Sequence, residues 1–197
     1  MKYMMMVLGW GALFLAFAVQ AEPMTFTVTG GGDNLVQFES KAPLEKIVGT
    51  TDQITGSLTC DPADLSSGVT ASISVAAASL KTGNKIRDGH MRDNHLDTDQ
   101  YPNIEFKMAN IPLTGQLTEG STVKTTARGD FTCHGVTHTI DVATEVTLTK
   151  SASGQEVHVL ATFQMKLSDY NIPRPQFLIM KLDEVQRITV DFRGVSP

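Results

Sequence analysis

Most of the chain after residue 30 alternates between apolar and polar residues with a period of two, which is typical of half-buried β-strands. Every second residue is apolar in Val69–Val75 and again in Asn103–Met108. The longest run of this kind, Glu156–Leu167, places on a single face the apolar residues Val157, Val159, Ala161, Phe163, Met165 and Leu167. The same alternation predicts further strands at Leu35–Ser40, Gln53–Cys60, Thr122–Cys133, His138–Thr149 and Val185–Arg193.

Helix is scarce in this pattern. The best candidate is Asn84–Arg92, because the Asn84 side chain is suited to capping a first turn. A second irregular or short helical segment is predicted at Ser168–Met180, where Pro173 and Pro175 exclude a regular central strand. Amphipathic antiparallel strands must hide their apolar face, which a sandwich and a closed barrel both do. We expect an all-β fold of about eight antiparallel strands with one or two short helices at the rim. At about 3.3 Å per residue, strands of this length would build an elongated antiparallel β-barrel when the sheet closes on itself.

The N-terminal residues have the pattern of a secretory signal peptide. Lys2 precedes an uncharged apolar run from Met4 to Val19, and Val19-Gln20-Ala21 fits a cleavage site. A retained membrane anchor is the alternative, but the run is shorter than the about 20 residues of a typical span. We expect residues 1–21 to be removed and residues 22–197 to form one domain in the periplasm, not an integral membrane protein.

The charge of the chain argues against one class of partner. Removing the predicted signal peptide also removes Lys2, so the formal net charge changes from −5 to −6. An acidic protein with no basic patch is a poor candidate for nucleic-acid binding. The sequence leaves the oligomeric state open, with a homodimer among the alternatives.

The chain has two cysteines, Cys60 and Cys133, far apart in sequence. They form no C-x-x-C redox or zinc motif. By strand parity Cys60 shares a face with Leu58 and Cys133 shares one with Phe131, so both are expected to point inward. Because exported proteins meet an oxidising compartment, we predict a Cys60–Cys133 disulfide, with two buried free thiols as the alternative.

The stretch Lys85–Phe106 carries an unusual density of titratable side chains. Arg87 and Arg92 have the chemistry to clamp a phosphate through bidentate hydrogen bonds. His90 has the chemistry to donate to a head group or to a quinone oxygen. The alternative is a structural corner tied by ion pairs, which is the commoner role of such clusters, among Arg87, Asp88, Arg92 and Asp93.

The sequence supports a metal site or a catalytic site less well than it supports contacts with a ligand. His134 and His138 show an H-x3-H spacing, but they lie at a turn entering a strand, where the two need not share a face. No nucleophile elbow or Ser–His–Asp pattern is present to suit hydrolysis. We expect neither a catalytic nor a metal site, although a metal would draw on His90, His95, His134 and His138.

The order of the motifs resembles the YceI-like family of exported lipid-binding proteins. The matching pieces are KIVGTTDQITGSLTCDP, ASLKTGNKIRDGHMRDNHLDTDQYPNIEFK, GDFTCHGVTHTIDV and FQMKLSDYNIPRP, spread over residues 25–192. The resemblance implies a lipocalin-like barrel whose apolar lumen holds a long isoprenoid chain, of the polyprenyl phosphate or ubiquinone type. It implies a role in transport, storage or sequestration, with no cofactor required beyond that ligand. An enzyme or redox protein acting on an isoprenoid or quinone is the alternative.

Strand parity and the resemblance together predict the residues that bind this ligand. At the rim we expect Arg87 and His90 to contact a polar head group, with Met91 beside them. The apolar wall is predicted to consist of Ile73, Val75, Phe106, Phe131, Ile140, Phe163 and Met165. Further expected partners are a membrane or a protein that donates or accepts the lipid.

Overall fold

The computed structural model describes residues 22–41, 45–152, 154–177 and 180–197, so the predicted signal peptide lies outside the described residues. The chain forms short and long strands, here numbered in order: β1 Met24–Val28, β2 Leu35–Lys41, β3 Lys46–Thr51, β4 Ile54–Cys60, β5 Val69–Ala76, β6 Asn103–Ile111, β7 Thr122–Cys133, β8 Val136–Ser151, β9 Gly154–Lys166, β10 Gln176–Phe177, β11 Met180–Lys181 and β12 Val185–Ser196.

Eight of these strands close into an antiparallel barrel in the order β1-β4-β5-β6-β7-β8-β9-β12. The closing contact pairs Thr27 of β1 with Val195 of β12. Along the rest of the same edge, β12 pairs with β2, and β2 pairs with β3, so a two-stranded hairpin widens one side of the barrel. Closure leaves the apolar faces turned toward a common interior and removes exposed sheet edges.

All eight strands predicted from the alternation are present, and the additional strands are β1, β3 and the two-residue strands β10 and β11. β1 is short and lies next to the signal-like region, where its own alternation is hard to separate from the apolar run. β3 reads KIVGTT, and its inward positions include Gly49 and Thr51, so its apolar face is weak in sequence. Both strands are stabilised by pairing with neighbours, which a local pattern does not reveal.

The predicted helix is present and is longer than expected. An α-helix, α1, spans Lys85–His90, and the side chain of Asn84 accepts hydrogen bonds from the backbone N–H groups of Ile86 and Arg87. A turn of π-helix, Met91–Leu96, continues from it and ends at Asp97 in the left-handed region (φ 43°). Together they cover the barrel end at which β5 finishes and β6 begins, here called the helix end. Within the described residues, no helix is both long and apolar enough to cross a membrane.

The segment predicted to be irregular, Ser168–Met180, begins with a turn of 3-10 helix at Ser168–Tyr170. It later forms the small ribbon β10–β11, in which Phe177 pairs with Met180. Tyr170 and Ile172 from this segment are buried against Phe131 and Leu167 at the helix end of the barrel. The proline-rich stretch is therefore a cap on the sheet and not a strand of the barrel.

The predicted disulfide is absent: Cys60 and Cys133 are both free and buried. Following the strand register explains why. Cys60 follows Thr59, which pairs with Thr70, whereas Cys133 lies beside Ile104, which pairs with Val75. The two thiols are thus separated by about six positions along β5, roughly 20 Å at 3.3 Å per residue. A disulfide needs Cα atoms within about 7 Å, so the prediction is wrong.

Candidate ligand-binding cavity

The barrel encloses an apolar cavity of about 920 Å³. Inward-facing side chains of β4 to β9 and β12 form its wall, and the β2–β3 hairpin adds Phe38 and Ile47. Nine of the ten side chains predicted from the sequence to bind a ligand line this cavity, namely Ile73, Val75, Arg87, His90, Met91, Phe106, Phe131, Phe163 and Met165. A cavity of this size is at the upper end of the range for small-molecule sites, about 300–1,000 Å³.

Ile140 is the exception among the predicted wall residues. It lies opposite Gly129 on β7 and packs, partly buried, in the cluster that contains Phe131, Leu167 and Tyr170. β8 pairs with β9 only from Ala143 onward. At Ile140, which precedes this pairing, the segment around Tyr170 takes the place of β9. Ile140 lies on the same face of β8 as Val142, but the Tyr170 segment covers it, and it is therefore not part of the cavity surface.

The end of the cavity opposite the helix is closed by apolar side chains. Leu65 and Leu117 are buried there, with Cys60 beside them. Backbone hydrogen bonds join the two loops that carry them: Leu113 N donates to Leu65 O at 3.0 Å, and Leu117 N donates to Pro62 O at 2.6 Å. This closed end, the floor, offers an entering ligand only apolar groups and one thiol.

The exposed residues that line the cavity lie toward the helix end. Ile86 of α1 is 75% exposed although it lines the cavity, and Glu45 and Asn84 are exposed beside it. An apolar side chain that borders both the lumen and solvent marks the mouth of the cavity. The lumen is therefore a blind tube with its floor at Leu65 and its mouth at α1.

The guanidinium of Arg87 lies at the mouth, but three of its five N–H groups are bound to protein atoms. Nε donates to Thr82 Oγ1 at 2.8 Å and Nη2 donates to Thr82 O at 3.2 Å. Nη1 lies 3.4 Å from Glu45 Oε1 as an ion pair. Arg92, the second half of the predicted phosphate clamp, does not line the cavity. The two arginines do not converge on one site.

Asp88 ties the base of α1 to the preceding loop. Its buried carboxylate accepts from Thr82 N at 2.8 Å and from Thr82 Oγ1 at 2.6 Å. Because Thr82 Oγ1 also accepts from Arg87 Nε, the three side chains form one chain of hydrogen bonds. This network is the structural corner considered as the alternative from the sequence, with Glu45 in place of Asp93 as the ionic partner.

Three histidines hold the segment that follows β9 by hydrogen bonds to its carbonyl oxygens. His138 Nε2 bonds to Asp169 O (2.9 Å), His134 Nδ1 to Tyr170 O (3.1 Å) and His95 Nδ1 to Pro173 O (2.9 Å). Among the described residues, no group of three or more His, Cys, Asp or Glu side chains is arranged to hold a metal ion. These three histidines, which were considered from the sequence as metal ligands, hold a loop in place.

Both thiols line the cavity, one near the floor and one near the helix end. Burial, reinforced by the nearby Asp61 carboxylate, raises the pKa of Cys60 to about 11. Burial alone raises the pKa of Cys133 to about 12. Since the thiolate is the reactive form, both groups behave near neutral pH as small apolar wall residues.

Sequence reasoning missed several wall residues. Phe38 and Ile47 belong to the β2–β3 hairpin, whose place beside the barrel depends on pairing with β12. Gln186 and Thr144 are buried polar residues on inward positions, which an apolar alternation does not reveal. His95 was considered only as a metal ligand, yet it lines the cavity. Its position within a π-helical turn has no signal in the sequence.

These features define an antiparallel β-barrel with a blind, apolar lumen. The model of the YceI-like domain matches residues 21–193, and the chain belongs to the YceI-like family. This confirms the resemblance seen in the motifs and the all-β barrel expected from it. The chain has no match among curated proteins.

Solved structures share the fold at low sequence identity. A polyisoprenoid-binding domain from Saccharophagus degradans, implicated in plant cell wall breakdown, is 16% identical with a TM-score of 0.68, over 88% of this chain and 99% of that one. BcnA of Burkholderia cenocepacia is 18% identical with a TM-score of 0.62, over 82% and 96%. A YceI protein of Campylobacter jejuni is 14% identical with a TM-score of 0.54, over 100% and 98%.

Proposed function

We propose that this protein binds one long isoprenoid chain in its lumen and carries or stores it in the periplasm without altering it chemically. The observation that carries the proposal is the shape and chemistry of the cavity. A blind apolar tube of about 920 Å³, closed by Leu65 and Leu117 and open beside Ile86, suits a linear apolar tail whose head group stays at the mouth. The polyisoprenoid-binding neighbour of the same fold supports this class of ligand.

Burial of apolar surface supplies the binding energy in this proposal. Each buried CH₂ group contributes about 0.8 kcal/mol, so a tail of many carbons binds firmly before the costs of association are subtracted. The walls are strands of a closed barrel and need little rearrangement to accept a tail. Burial raises the pKa values of the Cys60 and Cys133 thiols, which disfavours nucleophilic chemistry inside the lumen. This supports a binding role over an enzymatic one.

The direct test is to identify the ligand. Protein purified from its own host under native conditions is extracted with organic solvent, and the extract is analysed by mass spectrometry. We expect an isoprenoid in near-equimolar amount. Delipidated protein should then take up a long isoprenoid and bind a straight-chain fatty acid of equal carbon number less tightly. Recovery of a fatty acid or a phospholipid as the sole ligand would contradict the proposal.

A further inference from the structure

The helix end of the lumen contains a hydrogen-bond acceptor that no protein group uses. Gln186 is 5% exposed and lines the cavity, and its Nε2 donates to Asp183 O at 2.7 Å. Because a backbone carbonyl only accepts, this bond fixes which way the amide is turned. Oε1 is then left without a partner among the described residues. Among the described residues, the only side-chain oxygens or nitrogens that are both unpartnered and fully buried are Ser40 Oγ and Gln155 Oε1, so Gln186 Oε1 keeps some accessible surface.

His95 provides a second acceptor of the same kind. Its Nδ1 lies 2.9 Å from Pro173 O and must carry the proton of that bond, because the carbonyl has none to give. In the neutral ring Nε2 is then a bare lone pair. Burial, together with nearby His90, lowers the pKa of His95, which favours the neutral ring. Nε2 has no partner among the described residues, and His95 lines the cavity.

Both acceptors belong to the helix end. Gln186 lies opposite Met165 on β9, and His95 is bonded to Pro173 in the segment that follows β9. Backbone hydrogen bonds join these two places, since Leu167 N donates to Glu184 O and Ile172 N donates to Leu167 O, each at 3.0 Å. Deeper in the lumen, the buried hydroxyl of Thr144 donates to Val142 O at 3.1 Å, so its proton is not available to a ligand.

The charges that line the cavity do not favour an anion. Among the described residues, the lining includes one permanent cation, Arg87, and two carboxylates, Glu45 and Glu105. Three of the five N–H groups of Arg87 are used by Thr82 and Glu45, and Glu45 also offsets its charge. Glu105 is paired with Lys107 at 2.8 Å. A phosphate entering the mouth would lose its hydration beside two carboxylates and two bare lone pairs, and the charge of the one cation there is already paired with Glu45.

Resting on the proposed function, we propose that His95 Nε2 and Gln186 Oε1 select an isoprenoid whose uncharged head group donates a hydrogen bond, that is, a hydroxyl. A carbonyl head group, as in a quinone, only accepts and leaves both lone pairs unsatisfied. A phosphate at neutral pH carries one to two negative charges and is disfavoured further. The hydroxyl belongs either to an isoprenoid alcohol or to a quinol, and the experiment below separates these sources.

The test uses delipidated protein and head groups that differ on a constant tail. The probes are a polyprenol, its acetate ester and its monophosphate, together with ubiquinol and ubiquinone of one chain length under anaerobic conditions. A hydroxyl that gains one hydrogen bond should bind about three- to tenfold tighter than the matched acceptor-only compound. The phosphate should bind more weakly than the alcohol. Discrimination within the prenol pair, the quinol pair or both supports the proposal and assigns the source.

The variants His95→Phe and Gln186→Leu each remove one acceptor. We expect the preference for alcohol over acetate to shrink toward one, because the alcohol loses a hydrogen bond that the acetate never made. Gln164→Leu makes the same change on the outer face of β9 and should keep the full preference. If Gln186→Leu does not fold, Gln186→Met, of similar length and flexibility, is measured in its place.

The outcomes separate this inference from the proposed function. Equal affinities for alcohol and acetate together with equal affinities for quinol and quinone, or a phosphate that binds tightest, overturn the hydroxyl preference and leave isoprenoid binding intact. An unchanged preference in both acceptor variants also overturns it. Failure of every tailed probe to bind removes the proposed function and this inference together.

Discussion

The ring of Phe106 lies directly over Gly129 on the neighbouring strand. A Cβ atom on residue 129 would come within 2.5 Å of Phe106 Cζ and 2.6 Å of Lys107 O. The glycine therefore leaves the space in which the ring rests against β7, and it decides how far Phe106 reaches into the lumen. The shape of the cavity wall at mid-height depends on this pair.

Gly129→Ala is expected to destabilise the fold and to narrow the cavity. The new methyl group must displace the Phe106 ring and press on a backbone carbonyl, and such overpacking costs about 1–3 kcal/mol. Chemical denaturation measures the change in the free energy of unfolding. Gly89→Ala, in helix α1, is the control. The nearest contact of its new Cβ atom would be an ordinary 3.8 Å to Arg92 Nη2. Equal stability of the two variants would contradict the expected clash.

Phe106→Asp should abolish retention of the lipid. The substitution places a carboxylate in the apolar wall, where a bound tail would strip its hydration without supplying a partner. The measurement is the lipid recovered per mole of folded protein, with folding verified by circular dichroism. Thr126→Asp adds the same charge on the outer face of β7 and should retain the lipid. A folded Phe106→Asp protein that still co-purifies with its lipid would exclude the lumen as the binding site.

Ala127→Phe should shift the preference of the protein toward shorter tails. Ala127 is buried and lines the cavity on the floor side of Phe131, so a larger ring there occupies the lower part of the tube. Thr126→Phe puts the same ring outside the barrel. Affinities for isoprenoids of increasing length should reach their plateau at a shorter chain only for the Ala127 variant. The same plateau for both variants would mean that the tail does not descend past Phe131.

Both cysteines should be present as thiols that react slowly. Their pKa values near 11 and 12 keep the thiolate scarce at pH 8, and both are buried in the wall. Alkylation followed by mass spectrometry should show two free thiols in the unfolded, unreduced protein. In the folded protein the rate should be at least tenfold lower, and lower again with lipid bound. Rapid modification of folded, lipid-loaded protein would place the thiols outside a closed lumen.

His95 should make the free energy of unfolding depend on pH on the acid side of neutrality. Its pKa in the folded protein lies below the ordinary value of 6.5, mainly because of burial. The unfolded chain takes up the proton first, so stability is lost as the pH falls through 6.5 and stops falling below the folded pKa. His95→Gln keeps a donor for Pro173 O and should reduce this slope by less than about 1.4 kcal/mol per pH unit. An unchanged slope would contradict the assignment.

The alternation of residues was sufficient to predict most strands because each barrel strand has one face on the lumen and one on solvent. The alternation can be recognised without knowing which strand is the pairing partner, as in Val69–Val75 and Glu156–Leu167. The same parity placed Phe106 and Phe131 in the wall correctly. It failed for Ile140, because parity gives the face of a strand but not what covers that face. Here the Tyr170 segment covers it.

The sequence by itself determined the antiparallel barrel class, the inward set of apolar residues and the capped helix beginning after Asn84. Only the tertiary structure decided the positions along the barrel axis, because these depend on register between strands far apart in the chain. Register separates Cys60 from Cys133 although both point inward. It also brings Gln186, His95 and Arg87 to one end, where two of them keep free acceptors and the third is bound to Thr82 and Glu45.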